Sequence, residues 1–172
     1  DPAGNQLTAT LPNGCLETTG YDRAGRTTTI QNTCNAATVS SYTYTLDPAG
    51  NPTTVATHAA TISYGYDNAD RITSSTGPGG PITWTYDPAG NRLTETRPAG
   101  TTTYTYKSAG ADGAFDIDTV NGPFTNDTIT YGYDELGRRI STAINGVASR
   151  MTFDPAGRVI SETNALGTFT FA

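Results

Sequence analysis

An aspartate followed four residues later by an arginine recurs along the chain. The pairs are Asp22 and Arg26, Asp67 and Arg71, Asp134 and Arg138, and Asp154 and Arg158. A row of carboxylates could supply a general base or oxygen ligands for a metal ion. In the structural alternative, each Asp caps its own turn and each Arg pairs with that carboxylate or with the next repeat. Asn51 and Asn91 replace Arg in two copies, which suits a packing role better than catalysis, so we expect no catalytic residues.

Histidine and serine offer a second route to chemistry. His58 is the sole histidine, and serines are scattered. Sequence order alone allows a Ser/His/Asp triad, but no Gly-x-Ser-x-Gly elbow occurs. We expect His58 to lie in a loop before a strand at Thr61–Tyr66. No cofactor motif is present, and neither Cys-x-x-Cys nor paired histidines indicate a zinc site.

Four aspartates fall close together between positions 111 and 127: Asp112, Asp116, Asp118 and Asp127. Carboxylate oxygens are the ligands that Ca²⁺ prefers, so a calcium site is one interpretation. The spacing does not match an EF-hand loop. A solvated acidic loop is the favoured alternative.

The only two cysteines are Cys15 and Cys34. Each falls near a turn, in neighbouring stretches of the chain. We predict that they form a disulfide, which would indicate an oxidising, extracellular setting. The alternative is two unrelated thiols in a reduced chain.

Composition excludes several classes of protein. The 172 residues have a net charge of −6, with 35% apolar and 15% charged residues. A chain this acidic is poorly suited to nucleic-acid binding by phosphate neutralisation. No apolar run is long enough to insert into a membrane. The length suffices for one domain with a real core, and because the first residue is Asp we expect a fragment or a processed product.

The aspartates belong to a repeat of about 20 residues. The Asp slot falls at positions 1, 22, 47, 67, 87, 134 and 154, Lys107 occupies the same slot, and Ala172 stands in the next one. The turns read DPAGN, DRAGR, DPAGN, DNADR, DPAGN, KSAGA, DELGR and DPAGR. Proline at the second position and glycine at the fourth favour a tight hairpin turn. We predict purely structural roles for the turn residues Tyr21, Asp22, Gly25, Arg26, Asp47, Gly50, Tyr66, Asp67, Arg71, Tyr86, Asp87, Gly90, Tyr133, Asp134, Gly137, Arg138, Asp154, Gly157 and Arg158.

Alternating runs precede each turn, such as Trp84-Thr85-Tyr86 and Tyr104-Thr105-Tyr106. A period of two indicates a strand with aromatic residues on one face and threonine on the other. Aromatics at this spacing are expected to pack in ladders, although Trp84 could instead stack on a sugar. The sequence therefore predicts an all-β fold of antiparallel hairpin repeats in a curled or spiral ribbon. A single array is expected over 1–172, with enlarged loops near 32–38 and 111–127.

The motif Tyr-Asp-x-x-Gly-Arg at this interval resembles the YD repeat, or Rhs repeat. It is carried by Tyr21 to Arg26 and Tyr133 to Arg138, with Phe153 to Arg158 as a near variant. The family includes bacterial Rhs and wall-associated proteins, the C component of insecticidal toxin complexes, and the teneurins. The resemblance implies a β-ribbon that spirals into a hollow shell. The self-cleaving Asp-rich core of many Rhs shells has no convincing match here.

The resemblance implies a non-catalytic wall segment of a shell around a toxin or other cargo, or a surface scaffold, in a secreted or cell-surface bacterial protein. An alternative is an extracellular adhesin that binds a cell-surface glycan or protein through its inserted loops. A further alternative is end-to-end association of copies into filaments, since exposed edge strands can pair. The expected partners are thus flanking repeats, further copies, a toxin cargo or a surface ligand.

Overall fold

The computed structural model describes residues 1–171, so the turn slot expected at Ala172 lies outside the described residues. Sixteen strands form one antiparallel sheet whose hydrogen-bonded order is the sequence order. The predicted all-β hairpin fold is confirmed in this respect. The strands are β1 Thr8–Thr10, β2 Leu16–Tyr21, β3 Thr27–Cys34, β4 Ala37–Leu46, β5 Pro52–Thr57, β6 Thr61–Tyr66, β7 Ile72–Gly77, β8 Gly80–Tyr86, β9 Arg92–Arg97, β10 Gly100–Tyr106, β11 Ile117–Asn121, β12 Thr128–Tyr133, β13 Arg139–Ile144, β14 Val147–Phe153, β15 Val159–Asn164 and β16 Gly167–Thr170.

The chain divides into two compact units, one of Asp1–Thr83 and a second that begins at Trp84. In each unit every hairpin is antiparallel. The register shifts by one residue just before the turn, at Gly20/Tyr21 in the first unit and at Gly132/Tyr133 in the second. Such a bulge re-aims the residue that follows it. The aromatic residue before each Asp is therefore placed differently from those earlier in its strand.

The two faces of the strands differ in chemistry. Along β8 and β10 the burial alternates, with the aromatic positions half-buried and the threonines between them exposed. On the polar face, hydroxyls pair across neighbouring strands, as between Thr54 and Thr45 at 2.8 Å and between Thr96 and Thr101 at 2.9 Å. The period of two thus separates an aromatic face from a hydroxyl face.

The extra residues near 32–38 extend the strands instead of enlarging the loop. β3 and β4 have 8 and 10 residues and are joined by a two-residue turn at Asn35 and Ala36. Both turn residues have positive φ, at 50° and 62°. This is the conformation of the type I′ turn that matches the twist of paired strands. The additional residues at 32–38 therefore continue the hydrogen-bonded ladder.

The turn expected at 107–111 differs from its sister turns. Lys107 has no side-chain carboxylate to accept the turn's N–H groups, and the hairpin closes nine residues later, where the N–H of Lys107 donates to the carbonyl of Asp116 at 2.8 Å. The N–H of Phe115 donates to the carbonyl of Lys107 at 3.0 Å. The insert is thus split into a loop before β11 and a second, shorter loop between β11 and β12.

Little of the chain is buried. Among the described residues Cys15 is the only buried apolar side chain, with 7% of its surface exposed. The length would permit a real core, but a single layer of strands leaves both faces open to some degree. Stability must therefore come from contacts between adjacent strands and repeats. The described part of the chain contains no helix with the length and apolar character needed to cross a membrane.

Candidate functional site

The candidate site is the repeat corner, the turn that begins at each Asp slot. Asp134 shows its geometry. One carboxylate oxygen, Oδ1, accepts the N–H of Leu136 at 3.0 Å and that of Arg138 at 2.9 Å. The other, Oδ2, accepts Nε of Arg138 at 2.7 Å. The N–H of Gly137 donates to the carbonyl of Asp134 at 2.9 Å. The carboxylate therefore holds the whole turn together.

The same arrangement recurs at the other corners. Asp22, Asp67 and Asp154 each bind the Nε of their arginine at 2.7 Å. At Asp47 and Asp87 an asparagine takes the place of the arginine and donates its amide to the carboxylate. In the turn at 67–71, Asp70 fills the glycine slot with a φ of 58°.

These contacts lower the pKa of the corner carboxyls. The backbone N–H and then the guanidinium of Arg26 lower the pKa of Asp22 below 3.8. At Asp134 partial loss of hydration raises the pKa, but the N–H and guanidinium of Arg138 together outweigh it and the pKa is lowered. A general acid or base works best with a pKa near the operating pH. Ionised carboxylates whose oxygens are already occupied favour the structural interpretation.

The corner residues also reach the next repeat. The Nη1 of Arg26 donates to the carbonyl of Asp47 at 2.8 Å. The guanidinium of Arg138 lies over the ring of Phe153, 4.7 Å from its centroid, in a favourable cation–π contact. At these two corners the arginine four residues after the Asp thus links one repeat to its successor.

The tyrosine that comes directly before the Asp slot of a corner makes a contact that the sequence did not predict. Its hydroxyl donates to the backbone carbonyl of the residue that follows the preceding corner. The four pairs are Tyr21 with Gln6 at 3.1 Å, Tyr66 with Pro52 at 2.9 Å, Tyr106 with Arg92 at 2.9 Å, and Tyr133 with Ile117 at 2.9 Å. We call this contact the hydroxyl link.

Half-burial changes the pKa of three of the linked tyrosines. Burial is the largest effect on Tyr66, Tyr106 and Tyr133, and it raises the pKa of each above 10.0. The neutral phenol, which can donate the link, is therefore favoured in the folded chain. The signal available in the sequence was the use of Tyr, not Phe, directly before the Asp slot at positions 21, 66, 86, 106 and 133, where Lys107 fills the slot after Tyr106.

Trp84 lies in a polar cluster on the aromatic face of the second unit. Its Nε1 donates to Glu95 Oε2 at 3.0 Å, and Glu95 also accepts Arg92 at 3.0 Å and Arg97 at 2.6 Å. Arg97 first, and then Trp84, lower the pKa of Glu95. The guanidinium of Arg92 lies 4.4 Å from the centroid of Tyr104. The indole is thus held by neighbouring side chains and is half-buried.

Cys15 and Cys34 form a disulfide in the structure, with their Cα atoms 4.4 Å apart. Leu16 and Thr33 are directly paired in β2 and β3. The two cysteines come immediately before and after these paired residues, so they occupy the next rung of the same ladder. The bond cross-links β2 and β3, the first two full-length strands, at one end.

The remaining candidate residues do not converge. His58 is exposed in the turn between β5 and β6. In the acidic insert, Lys107 forms an ion pair with Asp118, and Asp127 Oδ2 accepts the N–H of Phe124 at 2.7 Å. Within residues 1–171, no group of three or more His, Cys, Asp or Glu side chains is placed to hold a metal ion. Phe115 and Phe124, in the two loops of the insert, are each 67% exposed.

Comparison with known proteins identifies the repeat. The sequence pattern of the RHS Repeat family matches residues 47–82 and 66–102. Residues 47–102 of the chain therefore carry RHS repeats. The corners at Asp47, Asp67 and Asp87 lie inside the matched residues, and the corners at Asp22, Asp134 and Asp154 outside them have the same kind of hydrogen bonds. No match was found among curated proteins.

Several solved structures share the fold of the chain. A crystal structure of TcdB2-TccC3-Cdc42 aligns with a TM-score of 0.61 at 15% identity over 95% of the chain. A second crystal structure, TcdB2-TccC3-TEV, gives 0.59 at 16% identity over 95%. The Photorhabdus luminescens Tc holotoxin pore with a TccC3 mutation gives 0.54 at 16% identity over 93%. The chain spans about 12% of the length of each matched protein. At this identity the likeness concerns the fold, and together with the family match it supports a structural repeat module.

Proposed function

We propose that the chain is a non-catalytic wall segment of a β-shell that encloses a toxin or other cargo in a secreted or cell-surface bacterial protein. The observation that carries the proposal is that a corner such as that at Asp134 is completed by its neighbours. The Asp134 carboxylate is occupied by its own turn, and Tyr133 and Arg138 make contacts with adjacent repeats. Groups used in this way extend a wall, and they leave no convergent constellation for catalysis.

Three further observations support the proposal. The sheet is a single layer that adds strands in sequence order, which suits a wall better than a compact domain. The similar solved structures include a Tc holotoxin pore, in which the matched segment is a small part of a much longer chain. A disulfide between Cys15 and Cys34 suits an oxidising, extracellular setting.

The proposal is tested in the full-length protein that carries these repeats, by protease protection of the segment outside the repeats. Residues 47–86 make up two repeat periods, so their removal joins Leu46 to Asp87 and keeps the strand pattern. We expect the deletion variant to retain its β signal in circular dichroism and to leave the cargo open to protease. As a control, Leu166→Ser alters a side chain that is 88% exposed in a turn and should leave protection intact. If the cargo were digested as fast in the intact protein as in the deletion variant, encapsulation would be refuted.

The exposed insert favours a second candidate, a binding module for a surface glycan or protein. Phe115 and Phe124 are large apolar side chains, each 67% exposed, on two neighbouring loops. The double variant Phe115→Ser/Phe124→Ser should lose binding on a glycan array or to intact cells while its urea midpoint stays unchanged. Absence of binding by the unaltered chain would exclude this candidate. Growth of particles with concentration in light scattering would instead favour pairing of the edge strands β1 and β16.

A further inference from the structure

One described corner lacks both the hydroxyl link and the aromatic ring. Leu46 precedes Asp47 at the position that Tyr66 occupies before Asp67. By the same register, the acceptor for a hydroxyl at position 46 would be the carbonyl of Thr27, which follows Arg26 as Pro52 follows Asn51. Leu46 has no hydroxyl to donate and no ring to fill the space.

An open groove lies at this position, within the first unit. It has a volume of about 340 Å³, and its lining includes Arg26, Thr27, Ile30, Tyr44, Leu46 and Pro52. This is at the lower end of the range for small-ligand pockets, about 300–1,000 Å³. The lining combines apolar side chains with the guanidinium of Arg26 and with Thr27, whose carbonyl is the expected acceptor.

A second groove lies at the corresponding position beside Val159, where Phe171 provides a ring without a hydroxyl. Its volume is only about 80 Å³. The groove beside Leu46 is thus the larger of these two corresponding grooves.

The sister interval, the corresponding stretch from Asp134 to Phe153, shows which groups occupy this position when a ring is present. There Arg138, the counterpart of Arg26, lies over the ring of Phe153, the counterpart of Leu46. A guanidinium over an aromatic face is an attractive arrangement. In the groove, Arg26 and Leu46 both line the open space, and leucine stands at the position that a ring occupies in the sister interval.

We propose that this groove binds the side chain of a tyrosine from another polypeptide. The ring lies against Ile30, Leu46 and Pro52, with one face toward the guanidinium of Arg26. The phenol hydroxyl donates to the carbonyl of Thr27, as the chain's own tyrosines donate at their links. A phenylalanine would keep the ring contacts but lose the hydrogen bond. The inference does not depend on encapsulation, since any polypeptide that presents a tyrosine can fill the groove.

The experiment titrates N-acetyl-tyrosinamide into the ¹⁵N-labelled 172-residue chain, with N-acetyl-phenylalaninamide as the matched probe. We expect saturable shifts of the amide signals of Arg26, Thr27 and Leu46. A net hydrogen bond corresponds to about 2- to 12-fold tighter binding of the tyrosine probe. Equal affinity of the two probes, or no saturable shift at these residues, would overturn the proposal.

Filling the groove from within provides the second arm of the experiment. Leu46→Tyr supplies both the ring and the hydroxyl, and it should weaken binding of the tyrosine probe by at least about 10-fold, the loss expected when one good polar and ring contact is blocked. Leu46→Phe fills the ring space alone and should also block the probe, which keeps the test decisive if one variant folds poorly. Leu166→Tyr, in an exposed turn, makes the same change elsewhere and should bind as the unaltered chain does. Unchanged binding in both position-46 variants would refute the assignment of the groove.

Discussion

The hydroxyl link predicts that Tyr106→Phe destabilises the chain while Tyr104→Phe does not. Both tyrosines belong to β10 and both are half-buried. The hydroxyl of Tyr106 donates to the carbonyl of Arg92 at 2.9 Å, whereas the Tyr104 hydroxyl makes no hydrogen bond within residues 1–171. Each change removes one oxygen and leaves the ring in place. The difference between the two variants therefore measures the link alone.

The expected loss for Tyr106→Phe is about 1 kcal/mol, within the range of about 0.5–1.5 kcal/mol for a net hydrogen bond. The acceptor carbonyl is not deeply buried, so the larger cost of a buried unsatisfied group does not apply. In a chain of this size the melting temperature would fall by about 2–4 °C for each kcal/mol.

Urea unfolding monitored by circular dichroism provides the measurement. The midpoint should fall in Tyr106→Phe at unchanged slope, because a change in stability alone leaves the exposed surface the same. Tyr104→Phe should match the unaltered chain. If both variants had the same midpoint, the hydroxyl would not contribute to coupling between repeats, and the argument from the four links would fail.

Three further predictions follow from the described contacts. The corner aspartates have their pKa lowered from 3.8, and Tyr66, Tyr106 and Tyr133 have theirs raised from 10.0, so the urea midpoint should fall as the pH drops below about 3.8 or rises above about 10, and be stable between. Cys15→Ser/Cys34→Ser should lower the free energy of unfolding by about 3 kcal/mol in urea titrations, because it opens a loop with a sequence separation of 19. Gly113→Ala should destabilise more than Gly110→Ala in thermal melts: both glycines have positive φ, at 69° and 84°, but only at Gly113 would a Cβ collide with the ring of Tyr133.

Local pattern was sufficient to predict the strands and most corners. The strand expected at Thr61–Tyr66 has those bounds in the structure. Turn chemistry acts over five residues, and side-chain alternation acts within one strand, so both can be recognised in a single sequence. The corner at Lys107 shows the limit of this reasoning. The repeat position of Lys107 was recognised from the sequence. Because it has no Asp carboxylate to hold a tight turn, the turn is longer and closes only at Asp116.

The hydroxyl link could not be predicted because its two ends belong to different repeats. The acceptor lies 14 residues before Tyr106 and 16 before Tyr133, and the residue before the corner is re-aimed by a bulge. Alternation alone assigns this tyrosine to the aromatic ladder and says nothing about its oxygen. The groove at Leu46 was missed for the same reason. The missing ring and hydroxyl at position 46 can be recognised only when the position of the hydroxyl link is known.

The agreement between strand order and sequence order has a consequence for how the chain folds. Each strand pairs only with the strands synthesised just before and just after it. Contacts so close in sequence carry a small loop-closure cost and favour rapid folding. A growing chain can therefore add one finished hairpin at a time, because no early strand has to wait for a late partner. The same property allows a chain that passes end-first through a narrow opening to refold in order on the far side.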